Sequence, residues 1–217
     1  MAIGVKIILM NLKISGLILL SFLTGIFLYP YLPSYMASHW GITGQVDGYM
    51  SRFWGVFFMP FMSVFLFGLF LILPKIDPKK ANIAKFRPHF DRYIFVIMLF
   101  LFYLYLLTLS WNLGVRFNLM RFLSPAFAVL FYFTGVLVEN AQPNWFIGIR
   151  TPWTLSNPRV WQKTHALGGK LFKLCGMIAL LGILSPQLLV LWIFIPVITT
   201  TVWTLIYSYL EFSREKR

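Results

Sequence analysis

The residues best equipped for chemistry are gathered in one stretch, Asn144 to Trp161, where Arg150 and Arg159 alternate with Trp145, Trp153 and Trp161 and with two prolines, Pro152 and Pro158. The planar fork of arginine suits a carboxylate, a phosphate or a row of backbone carbonyls, and flanking indoles can clamp an amphipathic partner. The same residues also suit a plainer role, in which the arginines grip lipid phosphates and the tryptophans anchor the loop at the interface; composition alone favours that role. A bilayer span cannot easily carry both arginines, and a solvated loop has little use for three tryptophans, so the segment belongs where membrane meets water.

Other chemistries find little support. The histidines are His39, His89 and His165; His39 and Asp47 could pair, but two ligands rarely hold a metal, and hydrogen bonding within a turn-rich loop is the better reading. No metal site and no cofactor are expected. The six acids, Asp47, Asp77, Asp91, Glu139, Glu211 and Glu215, all lie at or beyond the ends of apolar runs, which argues against a proton-coupled pump. Serines such as Ser63 and Ser110 have no histidine or carboxylate in a recognisable pattern. No catalytic residue is assigned, and an enzyme is not expected. A lone Cys175 excludes an internal disulfide framework and reads as packing.

The elements that must position these residues are helical and apolar. At 59% hydrophobic, 12% charged and a mean hydropathy of +0.77, the chain carries more apolar surface than one soluble core could hide. Runs near the ~20 residues that span a bilayer fall at Ile8 to Leu28, Phe53 to Leu73, Tyr93 to Leu113, Phe122 to Val138, Leu171 to Leu184 and Leu188 to Leu210. The fifth is the weakest, opened by Lys170 and Lys173 and closed early by Pro186. The expected fold is all-α: a polytopic helical membrane protein of about six transmembrane helices.

Orientation follows from basic residues. Lys6 and Lys13 flank the start; Lys75, Lys79, Lys80, Lys85, Arg87 and Arg92 crowd the second connection; Arg150, Arg159, Lys163, Lys170 and Lys173 the fourth; Arg214, Lys216 and Arg217 the end. Only Arg52, Arg116 and Arg121 fall in odd-numbered connections, so the positive-inside rule puts both termini in the cytoplasm. The net charge of +13 is explained by this topology and by anionic lipid, with no direct nucleic-acid partner.

Three connections have local signals. In the first, Pro30 to Arg52, glycines 41, 44 and 48 and the Asp47-Gly48 pair predict tight turns in a small ordered outer loop carrying His39, Trp40 and Tyr49. In the second, Asp77-Pro78 predicts the start of a short surface helix running through Phe86. In the fourth, Pro152 pushes Thr151 into an extended conformation, and Asn157-Pro158 predicts a helix through Trp161 and His165 into the fifth span. Trp161 and His165 would share a face, and Gly168 and Gly169 would let it approach another helix closely. Pro60 and Pro196 fall within spans as candidate kinks.

The run Asn144 to Leu155 with Val160-Trp161-Gln162-Lys163-Thr164-His165, and above all its Ile-Gly-Ile-Arg-Thr-Pro-Trp-Thr-Leu core, closely resembles the signature of the SdpI family of small polytopic membrane proteins. Leu32-Pro33, His39-Trp40, Gly44 and Asp47-Gly48 resemble the short extracytoplasmic motif that often accompanies it; the proline often found near Ala37 is missing. Together the two resemblances span roughly two thirds of the chain. The resemblance implies signature residues Asn144, Gly148, Arg150, Thr151, Pro152, Trp153, Thr154, Trp161 and His165, and outer-loop residues Pro33, His39, Trp40, Gly44 and Asp47. It implies an immunity protein against a secreted killing peptide, which also acts as a receptor drawing a cytoplasmic repressor to the membrane.

One integral domain, 1–217, is therefore expected in the cell membrane. It has a two-helix part (8–73, outer loop 30–52) and a four-helix part (93–210, cytoplasmic loop 139–170). Membrane lipids, a toxin peptide outside and a repressor inside are the expected partners. The competing readings are a transporter or membrane enzyme using Arg150, His165 or His39, and a structural lipid-interacting protein.

Overall fold

The computed structural model describes residues 2–215; Lys216 and Arg217, which the charge pattern groups with Arg214, lie outside the described residues, as does the side chain of Lys6. In chain order the elements are α1 (Ala2–Leu28), β1 (Tyr35–Trp40), β2 (Val46–Ser51), α2 (Arg52–Ile76), α3 (Lys80–Lys85), α4 (Arg87–Asn112), α5 (Leu119–Asn140), α6 (Pro152–Ser156), α7 (Pro158–Ala179) and α8 (Leu189–Glu215). Six helices, all but α3 and α6, are long and apolar enough to cross a membrane. Their outer faces expose large apolar side chains such as Phe27, Phe65 and Phe194, an arrangement that suits lipid and not water. The chain is a multi-pass helical membrane protein.

The fifth span shows how tertiary pairing overrides local hydropathy. It runs from Pro158 to Ile183, starting well before the apolar run at Leu171. Asn157 caps the helix by accepting from the Arg159 and Val160 N–H groups. The early charges meet acids of the neighbouring helix: Lys163 lies 2.7 Å from Glu211 and 3.3 Å from Glu215, and Arg159 lies 3.0 Å from Glu215. A 3-10 turn, Leu180–Ile183, completes the span before Pro186. Pro60 and Pro196 lie inside α2 and α8 as expected, and Pro74 and Pro125 are also intrahelical.

Glycines set the closest helix approach. Where α5 crosses α7, a Cβ on Gly176 would sit 2.6 Å from the Ala128 carbonyl oxygen, and one on Gly169 would sit 2.9 Å from that of Gly135. The backbones therefore touch, as small residues permit in membranes. Lys173 and Glu139 pair across the same seam. α4 packs on α1 and α2 on one side and on α5 on the other.

The two ends of the bundle differ. At one, β1 and β2 form an antiparallel hairpin, with Tyr35 opposite Ser51 and His39 opposite Gly48. The sequence predicts turns here but not strands; the register is irregular around His39, and burial alternates along β2 but not along β1. The hairpin is tied to the end of α4 by Asn112, whose amide receives the Ala37 N–H (2.7 Å) and donates to the Ala37 carbonyl (3.0 Å). Beneath it lies a core of Leu32, Met36, Val56, Tyr105 and Leu109. At the other end the second and fourth connections meet over a core that includes Ile83, Phe86, Phe90, Leu137, Ile147 and Trp161.

Candidate functional site

The signature loop is held by one buried amide. Asn144 is fully buried; its Oδ1 accepts from the Phe146 (2.9 Å) and Ile147 (2.6 Å) N–H groups, and its Nδ2 donates to the Gln142 and Ile147 carbonyls, each at 2.8 Å. All of the amide's main bonding capacity goes into folding the loop around itself. Asp77 supplies the tether. It does not begin the next helix as the Asp-Pro pair suggests: it closes α2, α3 begins at Lys80, and its Oδ1 accepts from the Lys79 N–H at 2.6 Å. Its Oδ2 accepts from the Trp145 N–H at 2.9 Å, joining the second connection to the fourth.

His165 and Trp161 form the floor. Their rings stack at 3.9 Å and 15°, the shared face expected from their spacing. The Ile149 N–H donates to Nε2 (3.0 Å), and Nδ1 faces the Trp161 carbonyl at 2.8 Å. A backbone donor on Nε2 and a backbone acceptor beside Nδ1 select the tautomer protonated at Nδ1. Trp161 Nε1 donates to the Ala141 carbonyl at 2.8 Å. Gly148 turns over this floor with φ +114°, and a Cβ there would run into His165 Nε2, so both conformation and space require glycine.

Thr151 is extended, as its position before Pro152 predicts, and caps α6 through a capping box in which Thr151 and Thr154 exchange side chain to backbone bonds at 3.1 and 2.9 Å. Pro152 takes the first turn of α6, a short helix not anticipated in the arm. Thr151 Oγ1 also reaches Ser208 of α8 at 3.0 Å, and the Trp153 ring lies against Tyr209 at 5.2 Å. Arg150 stands apart: it is exposed, and its Nη1 donates to the Trp145 carbonyl at 2.5 Å. Beside it, a cavity of about 490 Å³ opens between α2, α4, α5, α7, α8 and the loop.

The hairpin carries the other set. His39 Nδ1 lies 2.5 Å from Asp47 Oδ1, with the side chains 72% and 52% exposed. Gly44 turns the hairpin at φ +78°, and the Pro33 carbonyl accepts from Arg52 Nε at 3.2 Å. Trp40 packs edge-on against Trp111 at 5.9 Å. Among the described residues, no three of His, Cys, Asp or Glu gather as metal ligands.

The structure thus brings Asn144, Gly148, Thr151, Thr154, Trp161 and His165 into one hydrogen-bonded unit, leaves Arg150 on its rim, and places Pro33, His39, Trp40, Gly44 and Asp47 at the far end. Sequence reasoning missed Asp77 and Ser208. For Asp77 the signal was partial: an Asx-Pro pair reads as a local cap, and nothing local reveals where a second carboxylate oxygen will point. Ser208 is indistinguishable from an ordinary buried helical serine.

Comparison with known proteins places these units. Residues 140–208 match the SdpI/YfhL protein family, and residues 16–64 match a domain of unknown function, DUF1648. Across 194 residues, 89% of this chain and 91% of the relative, the sequence is 26% identical to the Immunity protein SdpI of Bacillus subtilis (strain 168). No solved structure matches the chain. Each matched region contains the residues that organise one end of the bundle, residues 140–208 the Asn144 to His165 unit and residues 16–64 the hairpin; the chain is thus similar to the SdpI/YfhL protein family in the first region and to DUF1648 in the second.

Proposed function

We propose that this chain is an immunity protein of the cell membrane, protecting its host from a secreted killing peptide. The observation that carries this reading is the similarity to an immunity protein along nearly the whole length of both chains. The charge distribution supports the orientation. Lys75, Lys79, Lys80, Lys85, Arg150, Arg159, Lys163 and Arg214 stand at the end with the signature loop, against Arg52, Arg116 and Arg121 at the hairpin end, so the loop faces the cytoplasm and the hairpin faces outward. The hairpin then offers the toxin an exposed polar and aromatic surface, with Tyr35, His39, Asp47 and Tyr49 accessible. On the inner side the loop, braced from α2 and α8, serves as a platform for a repressor protein. An enzyme or transporter using His165 has less support, because both ring nitrogens are engaged by backbone groups.

Expression in a sensitive cell tests the reading. Survival under the matching peptide toxin should rise by orders of magnitude at constant membrane levels of the protein; unchanged killing contradicts it.

A further inference from the structure

The cavity beside the signature loop has the chemistry of a lipid site. Phe70 and Leu73 of α2 form one wall, Phe172 of α7 another, and Leu205 of α8 the opposite side, with the loop from Phe146 to Thr151 as a cap. Hydroxyls that line it are spent on the protein. Thr134 Oγ1 donates to the Leu130 carbonyl (2.8 Å) and lies 3.2 Å from the Tyr93 hydroxyl; Thr201 donates to the Val197 carbonyl (2.8 Å), and Thr204 to that of Thr201 (3.0 Å). The interior therefore presents apolar surface to an occupant. At about 490 Å³ it falls within the roughly 300–1,000 Å³ of sites that enclose small ligands.

Its rim is the opposite. Among the described residues Arg150 is the only charged one lining the cavity, and the one hydrogen bond seen for it there goes through Nη1 to a neutral carbonyl. Among the described residues no acid forms an ion pair with it: Asp47 lies against His39, Asp91 against Arg87, Glu139 against Lys173, Glu211 against Lys163 and Arg214, and Glu215 against Arg159 and Lys163, while Asp77 accepts from two backbone N–H groups. A guanidinium with no ion-pair partner, over an apolar cleft at the membrane boundary, matches a ligand with a greasy tail and an anionic head.

We infer that this cavity binds an anionic phospholipid, with one acyl chain between α2 and α8 and the phosphate on the free edge of Arg150. The inference is independent of any toxin or repressor and would stand if the immunity reading failed.

Photolabelling of the purified full-length protein in bilayers tests it, using phosphatidylglycerol that carries a diazirine midway along one chain. Labels should concentrate on Phe70, Phe172 and Leu205. They should fall at least five-fold in Arg150→Gln and less in Arg150→Lys, which keeps the charge without the fork. A cationic trimethylammonium lipid with the same tail should label these positions weakly. Leu205→Trp, which narrows the cavity with Arg150 intact, should abolish the labelling of Phe70 and Phe172 and decides the matter if Arg150→Gln does not insert. Equal labelling by the cationic probe, equal labelling of the variants, or labels spread evenly over the lipid-facing helices would overturn the assignment.

Discussion

His39 and His165 stand at opposite ends of the same bundle and are used in opposite ways. His39 meets Asp47 side chain to side chain in the open, where water competes for both. His165 is 1% exposed and is held by two backbone groups and a stacked indole. An exposed pair is free to exchange its partner for a ligand at little cost. A buried imidazole bonded at both nitrogens cannot do so without unfolding the loop above it. The hairpin end is thus built for contact and the loop end for shape, although both contain histidine, tryptophan, glycine and a carboxylate.

Substitutions should separate the two ends by stability. The largest effect is expected from Asn144→Ala, which strands buried backbone donors and acceptors around residues 142 to 147; a loss of roughly 3 kcal/mol or more is expected in denaturant unfolding of the micellar protein. A change below about 1 kcal/mol would remove the distinction.

Gly148→Ala should follow at about 2 kcal/mol, from the positive φ and the collision with His165. Part of that loss should return when His165→Ala is added, a coupling that a double-mutant cycle would read. Purely additive losses would show that the ring is not what forbids a side chain there.

Asp77→Asn keeps the shape but weakens acceptance from the Trp145 N–H; it is expected to cost about 1 kcal/mol and to raise amide hydrogen exchange at Trp145 while leaving the Asn112 tie at the hairpin end unchanged. The smallest effect belongs to His39→Ala with Asp47→Asn, expected to cost less than about 0.5–1 kcal/mol. A large drop in melting temperature there would mean that the exposed pair supports the hairpin.

Much of this contrast was legible in the sequence, for reasons that differ by residue. Six spans could be read because bilayer thickness fixes a length that apolar runs must meet. Thr151 and Asn157 were legible because a following proline restricts a residue and a cap needs an acceptor, both local effects. The shared face of Trp161 and His165 follows from helical spacing, though the parallel stacking of their rings does not. By contrast, the pairing of Arg159 and Lys163 with Glu211 and Glu215 of α8 and the reach of Asp77 to Trp145 across 68 residues have no local signal. Pairings of that kind are set by tertiary packing. The hairpin escaped because glycines and an irregular register around His39 blur the alternation that marks strands.

The division of labour is tested most directly by toxin survival of cells carrying the His39→Ala, Asp47→Asn double variant, measured beside wild type at matched membrane levels and matched melting temperature. Survival should fall by at least ten-fold while the protein remains as stable as wild type. Full protection by the double variant would show that the exposed pair on the hairpin does not meet the toxin.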